Sequence, residues 1–278
     1  MKLTRNLPAA QYHAIKALSA SVAFTMVEQC PLKGWIASPW NPALVAENKS
    51  VFDIGTALHL AVLEPEEFEE RVVCHEYEEY RSGDAKFIRD GAYAAGKTPL
   101  KPSEGDLVEE LRKSIWAERE IAEKLERPGD AEISMEWEWE GVPCKARPDF
   151  LPSDYSFVLD LKTANTAQPE ALGRKAMVEG WHVRAAWYLA GVQAVTGVTP
   201  QTYWFAVVEK DAPHIAQLYE MDPKALVRGE QIIMRALDQF AACQRSGFWP
   251  KYRSGPSVIT LPGWAEFKYA EREEMGEL

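Results

Sequence analysis

The sequence has few cysteines, and none of them lie close together. Four occur in 278 residues (Cys30, Cys74, Cys144 and Cys243) with no C-x-x-C pair, which argues against both a disulfide framework and a zinc ribbon. No apolar run approaches the roughly 20 residues that a membrane helix requires. The opening stretch, MKLTRNLPAAQYHAIKALSAS, lacks the apolar core and cleavage pattern of a signal peptide, so the expectation is a cytoplasmic chain without a membrane partner. There is no G-x-S-x-G elbow, which removes a serine hydrolase of that type. Internal repeats and Gly/Ser linkers are also lacking. We therefore expect one domain over 1–278, mainly helical over 1–130, with a sheet core and a C-terminal helix over 131–278. Positive charge is in deficit, with 31 Lys and Arg against 42 Asp and Glu and a net charge of −11. That balance weighs against a general nucleic-acid binder. The deficit is uneven, however. Eight acids and one arginine fall between Glu64 and Tyr80, whereas the first 50 residues hold five Lys or Arg and two acids, so one face can still be basic.

What the sequence does have is concentrated between Glu132 and Lys162. From Glu132 to Trp139 the residues alternate, with Ile133, Met135, Trp137 and Trp139 on one face and Glu132, Ser134, Glu136 and Glu138 on the other, the period of a half-buried strand. Glu140-Gly141 supplies a turn, and Val142 to Asp149 returns as a partner strand ending at Pro148-Asp149. A third strand, Phe157 to Lys162, is apolar until it places Asp160 and Lys162 on one face. Asp149 and Asp160 on neighbouring strands can share a hard divalent cation such as Mg²⁺, which takes a few carboxylate oxygens and keeps several waters. Lys162 beside them can orient a water or stabilise charge on a phosphoryl oxygen. The plainer alternative is a surface ion pair between Asp160 and Lys162, worth about 0–1 kcal/mol.

Elsewhere, Pro8 to Leu18 predicts a helix, and Ser19 or Ser21 a cap for the next one, to about Gln29. Residues 31–50 read as an irregular loop and residues 81–102 as an exposed connection or a flap. A helix from about Phe52 to Leu63 carries His59, which on its own reads as a core histidine. Ser103 to Asp106 looks like the capped start of a helix ending near Arg127. Helices are expected over Pro169 to Glu179 and Trp181 to Val195, and strands over Gln201 to Val208 and His214 to Met221. A last long helix opens at Asp222-Pro223 and runs to about Arg245, ahead of an acidic, frayed tail from Glu271. The order is that of an α/β protein with a mixed central sheet flanked by helices.

Pro148-Asp149 followed by Asp160-Leu161-Lys162 resembles the signature of PD-(D/E)xK nucleases, with their restriction-endonuclease-like core. The surrounding text, GTALHLAVLEPEEF at 55–68, ARPDF at 146–150, VLDLKTA at 158–164 and WHVRAAWYLAG at 181–191, is similar to the nuclease domain of exodeoxyribonuclease VIII (the RecE type) and related phage exonucleases. WFAVVEK and a terminal LPGW follow in the same order. The resemblance implies an exodeoxyribonuclease that degrades one strand of linear double-stranded DNA from the 5′ end. It also implies Mg²⁺, with Mn²⁺ able to substitute, held by His59, Asp149, Asp160 and the Leu161 carbonyl. Lys162 would position the attacking water, and Glu132 or Glu136 would be the extra acid, Glu132 being preferred. Arg147, Arg184, Tyr188, Ser19 and Ser21 are candidate DNA contacts. Arg184 stands where the wider superfamily often has glutamine, so it is either a stronger phosphate fork or a structural ion pair. The implied partners are DNA ends and a single-strand annealing protein in phage-type recombination. The implied setting is a bacterial or phage-infected cell, and the implied assembly a ring-shaped homo-oligomer. Some superfamily relatives carry an iron–sulfur cluster held by a tight late group of cysteines. Only Cys243 is late here, so no cluster is expected. Two other readings follow from the same residues: a structure-selective or single-strand nuclease, and a non-catalytic DNA-end-binding scaffold.

Overall fold

A computed structural model describes residues 1–44, 53–253 and 255–277. In chain order the elements are β1 (Lys2–Thr4), α1 (Ala9–Ala14), α2 (Ala20–Glu28), α3 (Pro31–Ile36), α4 (Asp53–Leu63), α5 (Phe68–Arg71), β2 (Val72–Cys74), α6 (Gly83–Ala94), β3 (Thr98–Leu100), α7 (Pro102–Ala117) and α8 (Arg119–Leu125). The remainder are β4 (Gly129–Ala131), β5 (Ser134–Trp139), β6 (Val142–Ala146), β7 (Phe150–Pro152), β8 (Phe157–Ala164), α9 (Pro169–Glu179), α10 (Trp181–Thr196), β9 (Thr202–Glu209), β10 (Ala216–Glu220), α11 (Pro223–Ser246) and α12 (Gly263–Glu274). The expected helix start at Phe52 and the 45–50 part of the expected loop lie outside the described residues. No helix among the described residues is long and apolar enough to cross a membrane.

The strands form a mixed five-stranded sheet, ordered β10-β9-β8-β7-β4, a three-stranded antiparallel sheet, β1-β5-β6, and a parallel β2–β3 pair. In the mixed sheet only β8 and β9 run parallel. A parallel pair needs a long crossover, and α9 and α10 supply it. The expectation of an α/β fold with a mixed sheet flanked by helices is met. The β5–β6 hairpin, however, belongs to a separate sheet from β8, and Asp149 lies in the link between β6 and β7 rather than in a strand. The antiparallel pairing of Phe150 with Leu159 then brings Asp149 alongside Asp160.

Two regions expected to be irregular are in part helical. Pro31 opens α3, and Ser82 caps α6 by accepting from the Ala85 N–H at 3.1 Å. The helix expected from Ser103 to near Arg127 is split at Glu118 into α7 and α8, with the Glu104 carboxylate closing back on the Lys101 N–H at 3.0 Å. The tail helix α12 extends past Glu271 to Glu274, where fraying was expected.

Helix α4 is apolar on most of its circumference because it packs on both sides. Leu58 and Val62 meet Leu159, Leu161 and Val208 of the sheet, while Ala57, Leu60 and Ala61 meet Val72, Leu100 and Val108. His59 takes the remaining direction, toward the Leu161 carbonyl. On the other side of the sheet, α10 lies on β5. Gly191 permits this, because a Cβ there would sit 2.8 Å from the Trp137 ring. The α9–α10 corner turns at Gly180 with φ 70°, a conformation glycine adopts without cost.

Lys145 is buried, and its ammonium donates to three carbonyls, those of Tyr12 (2.9 Å), His13 (3.1 Å) and Ile15 (2.9 Å). These lie at the end of α1 and its C-cap, where the Tyr12 carbonyl also accepts from the Ile15 N–H at 3.2 Å and the Ile15 carbonyl from the Ala17 N–H at 2.8 Å. Burial lowers the Lys145 pKa to about 8, with Glu136 opposing. Lys145→Met removes a charged donor from buried acceptors and is expected to cost about 2–3 kcal/mol in urea unfolding. A loss below about 0.5 kcal/mol would show that these bonds contribute nothing net.

Candidate functional site

Four groups converge where α4, the β6–β7 link and β8 meet. The Asp149 carboxylate accepts from the Leu161 N–H at 2.7 Å, which fixes its direction. His59 Nε2 lies 2.9 Å from the Leu161 carbonyl and 3.7 Å from Asp149 Oδ2, and its Nδ1 lies 3.6 Å from Glu132 Oε1. One ligand atom from each of His59, Glu132 and Asp149 lies within 4.8 Å of the other two.

Glu132 reaches this point by a route the strand pattern did not show. It precedes β5 and has φ 49°, the left-handed region that costs a non-glycine residue about 1–2 kcal/mol. It therefore does not share the Ser134–Glu136 face. Its N–H donates to the Asp149 carbonyl at 3.0 Å, and Arg147 Nε lies 2.9 Å from both its backbone oxygen and its Oε2. The rival acid, Glu136, sits on β5 and is 3.7 Å from Lys2.

Asp160 is almost fully buried and lies outside that trio. It forms an ion pair with Lys162, and Arg184 Nη1 lies 3.8 Å from its Oδ2. Lys162 Nζ is also 3.4 Å from the Leu161 carbonyl, so the Asp160–Lys162 pair adjoins the His59–Glu132–Asp149 group without joining it. Burial alone would raise the Asp160 pKa, but Lys162 and Arg184 outweigh it and hold the carboxyl below its ordinary value. Asp149 goes the other way: burial, reinforced by the Asp160 charge, raises it to about 6. Burial would lower His59, yet Asp149 and Glu132 overcome that and raise it to about 9. Arg184 is raised too, because Asp160 outweighs its burial.

The donor set (two carboxylates, a carbonyl oxygen and an imidazole) suits a hard divalent cation of the Mg²⁺ or Mn²⁺ kind. Such an ion must displace the His59 proton, so apparent affinity should climb with pH up to about 9. The sign for stability follows from the same shifts. A histidine raised from 6.5 to about 9 stabilises the fold fully below pH 6.5 and loses that contribution as pH rises through 9. Asp149, raised from 3.8 to about 6, removes stability as pH rises between those values. In EDTA, the melting temperature is therefore expected to fall between pH 6.5 and 9, and the gain on adding Mn²⁺ to grow over the same window. A Mn²⁺ gain that shrinks with rising pH would contradict this.

The DNA candidates divide between two clefts. A cleft of about 470 Å³ is lined by His59, Glu132 and Arg147, together with Glu64 and Arg71. A second, of about 940 Å³, is lined by Ser19, Ser21, Arg184 and Tyr188, together with Lys145. His13 lines both. Ser19 caps α2, accepting from the Val22 N–H at 3.5 Å, and lies 3.2 Å from the Ser21 hydroxyl. Tyr188 packs 6.2 Å from Tyr203, and burial raises its phenol well above the ordinary value. Arg147 is brought to Glu132, and Arg184 to Asp160. Glu64, His13 and Lys145 also line these clefts but carry no motif of their own in the sequence. For Lys145 the one available signal was a lysine inside an otherwise uncharged strand.

Residues 21–257 match the model of the PDDEXK-like domain of unknown function (DUF3799). A comparison with curated proteins found no match. Among solved structures, a candidate exonuclease of Eubacterium rectale is similar, with TM-score 0.65 and 12% identity over 92% of this chain and 97% of that one. The alkaline exonuclease LHK-Exo of Laribacter hongkongensis aligns over 97% of this chain and 100% of that one, at 11% identity and TM-score 0.34. The first likeness shows a shared fold.

Proposed function

This chain belongs to the PDDEXK-like family, and from that premise we propose that it is a divalent-metal-dependent nuclease hydrolysing phosphodiester bonds of DNA. The observation that carries the reading is the approach of His59, Glu132 and Asp149 to within 4.8 Å beside the Asp160–Lys162 pair. His59, Glu132, Asp149 and the Leu161 carbonyl would hold the ion, which when bound supplies Lewis acidity at the scissile phosphate. Lys162, held by buried Asp160, orients the attacking water. Asp160 in turn keeps Lys162 and Arg184 charged and in place. The cleft with Ser19, Ser21, Arg184 and Tyr188 takes the sugar–phosphate backbone, and its basic groups offset locally the net charge of −11.

The finer reading is exonucleolytic digestion of linear duplex DNA from 5′ to 3′, with Mg²⁺ as the ion. The protein would act in the RecE manner beside a single-strand annealing protein in phage-type recombination. It is supported by the motif order in the sequence. The test is digestion of linear duplex labelled at the 5′ or the 3′ end, with Mg²⁺ or EDTA, beside closed circular DNA. Early loss of the 5′ label from linear DNA only, abolished by EDTA, is the expected result. Cutting of the closed circle would replace the exonuclease reading with an endonuclease. Survival of bound linear DNA with both Mg²⁺ and Mn²⁺ would leave a non-catalytic end-binding protein.

A further inference from the structure

One segment of the chain departs from its acidic balance. No acid occurs between Asp238 and Glu266, whereas Arg245, Lys251 and Arg253 do, in a protein of net charge −11. All three cations are exposed, and so are two rings that lie among them, Phe248 at 67% and Tyr252 at 65%. A single exposed ring carries little information. Rings interleaved with cations form the kind of surface that stacks bases and neutralises phosphates.

The segment is anchored to the fold between its two exposed rings. Helix α11 stops at Gly247, with φ 66°, and the Phe248 N–H donates to the Ser246 hydroxyl at 3.2 Å. Trp249 packs 6.3 Å from Trp35 and 5.6 Å from Phe240. The Pro250 carbonyl accepts from the Leu32 N–H at 3.0 Å, a first-turn donor of α3 with no intrahelical partner. Lys33, the next residue on α3, places its ammonium 5.4 Å from the centre of the Tyr252 ring. Trp249 and Pro250 thus hold the strip in place while Phe248 and Tyr252 remain open to solvent.

The strip also adjoins the cleft assigned to the sugar–phosphate backbone. Lys33 and Ile36 lie one turn apart on α3. Ile36 is 48% exposed and lines the same cleft as Ser19, Arg184 and Tyr188. A strand leaving that cleft across Ile36 meets Lys33 and then the Tyr252 ring. Resting on the nuclease reading, we propose that Phe248 and Tyr252, with Lys33, Arg245, Lys251 and Arg253 about them, bind single-stranded DNA beside the cleft. The rings take bases of any sequence, since every base has a π face, and the cations take phosphates. Single strand is the occupant because its unstacked bases can lie on aromatic side chains, whereas paired bases in a duplex are already stacked on one another.

The test is binding by the full chain, in EDTA so that nothing is cut, of a labelled oligothymidylate, an abasic strand of the same length and a blunt duplex. The wild type is compared with Phe248→Ala combined with Tyr252→Ala, a variant that should fold because both rings are largely exposed. Removing two stacking rings is expected to weaken oligothymidylate binding by about tenfold or more. The abasic strand and the duplex should bind both proteins alike. Phe248→Trp with Tyr252→Trp should restore the affinity for oligothymidylate. Lys251→Met with Arg253→Met should instead flatten the slope of log affinity against log salt by about 1.4, the share of two phosphate contacts on a single strand. Unchanged oligothymidylate binding in the alanine variant, an equal loss on the abasic strand, or an unchanged salt slope would overturn the proposal. Wild-type digestion of linear duplex beside unchanged single-strand binding in the alanine variant would remove the strip and leave the nuclease standing.

Discussion

Asp160→Asn is expected to lower kcat for DNA hydrolysis by about 10³–10⁴-fold, the range seen when a preorganised charge is removed from a hydrolytic site. The reason lies in what Asp160 holds. Its buried carboxylate is the shared partner of Lys162 and Arg184, and it keeps a negative charge because those cations outweigh its burial. Asparagine preserves the shape but leaves two partly buried cations facing a neutral amide, so Lys162 loses the partner that fixes its direction. Breaking one side of a buried pair also costs about 3–5 kcal/mol, so the loss of rate has to be read beside a melting curve showing that the variant is folded. Arg184→Met tests the other arm. It leaves Lys162 paired, so kcat should fall less than in Asp160→Asn, while the KM for DNA rises because Arg184 also lines the backbone cleft. A folded Asp160→Asn protein within tenfold of wild-type kcat would remove Asp160 from the machinery.

Arg147→Met is expected to weaken Mn²⁺ binding by about 10–100-fold, the usual effect of removing the group that orients a metal ligand. Arg147 reaches both the backbone oxygen and the carboxylate of Glu132, a residue held in the left-handed region at φ 49°. Strain of that kind persists only when the surroundings enforce it. Without Arg147, Glu132 can relax toward the extended conformation of β5 and carry its carboxylate away from His59. Arg147→Lys separates this role from a DNA contact. Lysine keeps the charge but cannot fork, so it should rescue DNA affinity measured in EDTA without rescuing Mn²⁺ affinity. Wild-type Mn²⁺ binding in Arg147→Met would show that Glu132 needs no such support.

Much of the architecture was legible where residues act locally. The β5–β6 hairpin shows in its alternation and its Glu140-Gly141 turn. Pro169 and Gly180 bracket α9, and Asp222-Pro223 opens α11 with the Asp222 side chain accepting from the Ala225 N–H. Helix α6 was not legible, because its buried positions are the small residues Ala85 and Ala92 and the glycines at 83 and 91 read as breakers. The site was legible as a set of residues but not as a geometry. Asp149, Asp160 and Lys162 are marked by type and spacing. The left-handed turn that sends Glu132 to His59 depends on Arg147, fifteen positions away. The three-carbonyl anchorage of Lys145 joins residues some 130 positions apart. Long-range pairings of that kind leave no periodic trace in a chain.

Whether His59, Glu132 and Asp149 form a cation site is decided by calorimetric titration of Mn²⁺ into EDTA-stripped protein near pH 8, without DNA. Saturable binding is expected of the wild type, binding at least tenfold weaker of Asp149→Asn, and unchanged binding of Glu136→Gln, whose carboxylate faces Lys2 instead. Equal affinity in the wild type and Asp149→Asn would contradict it.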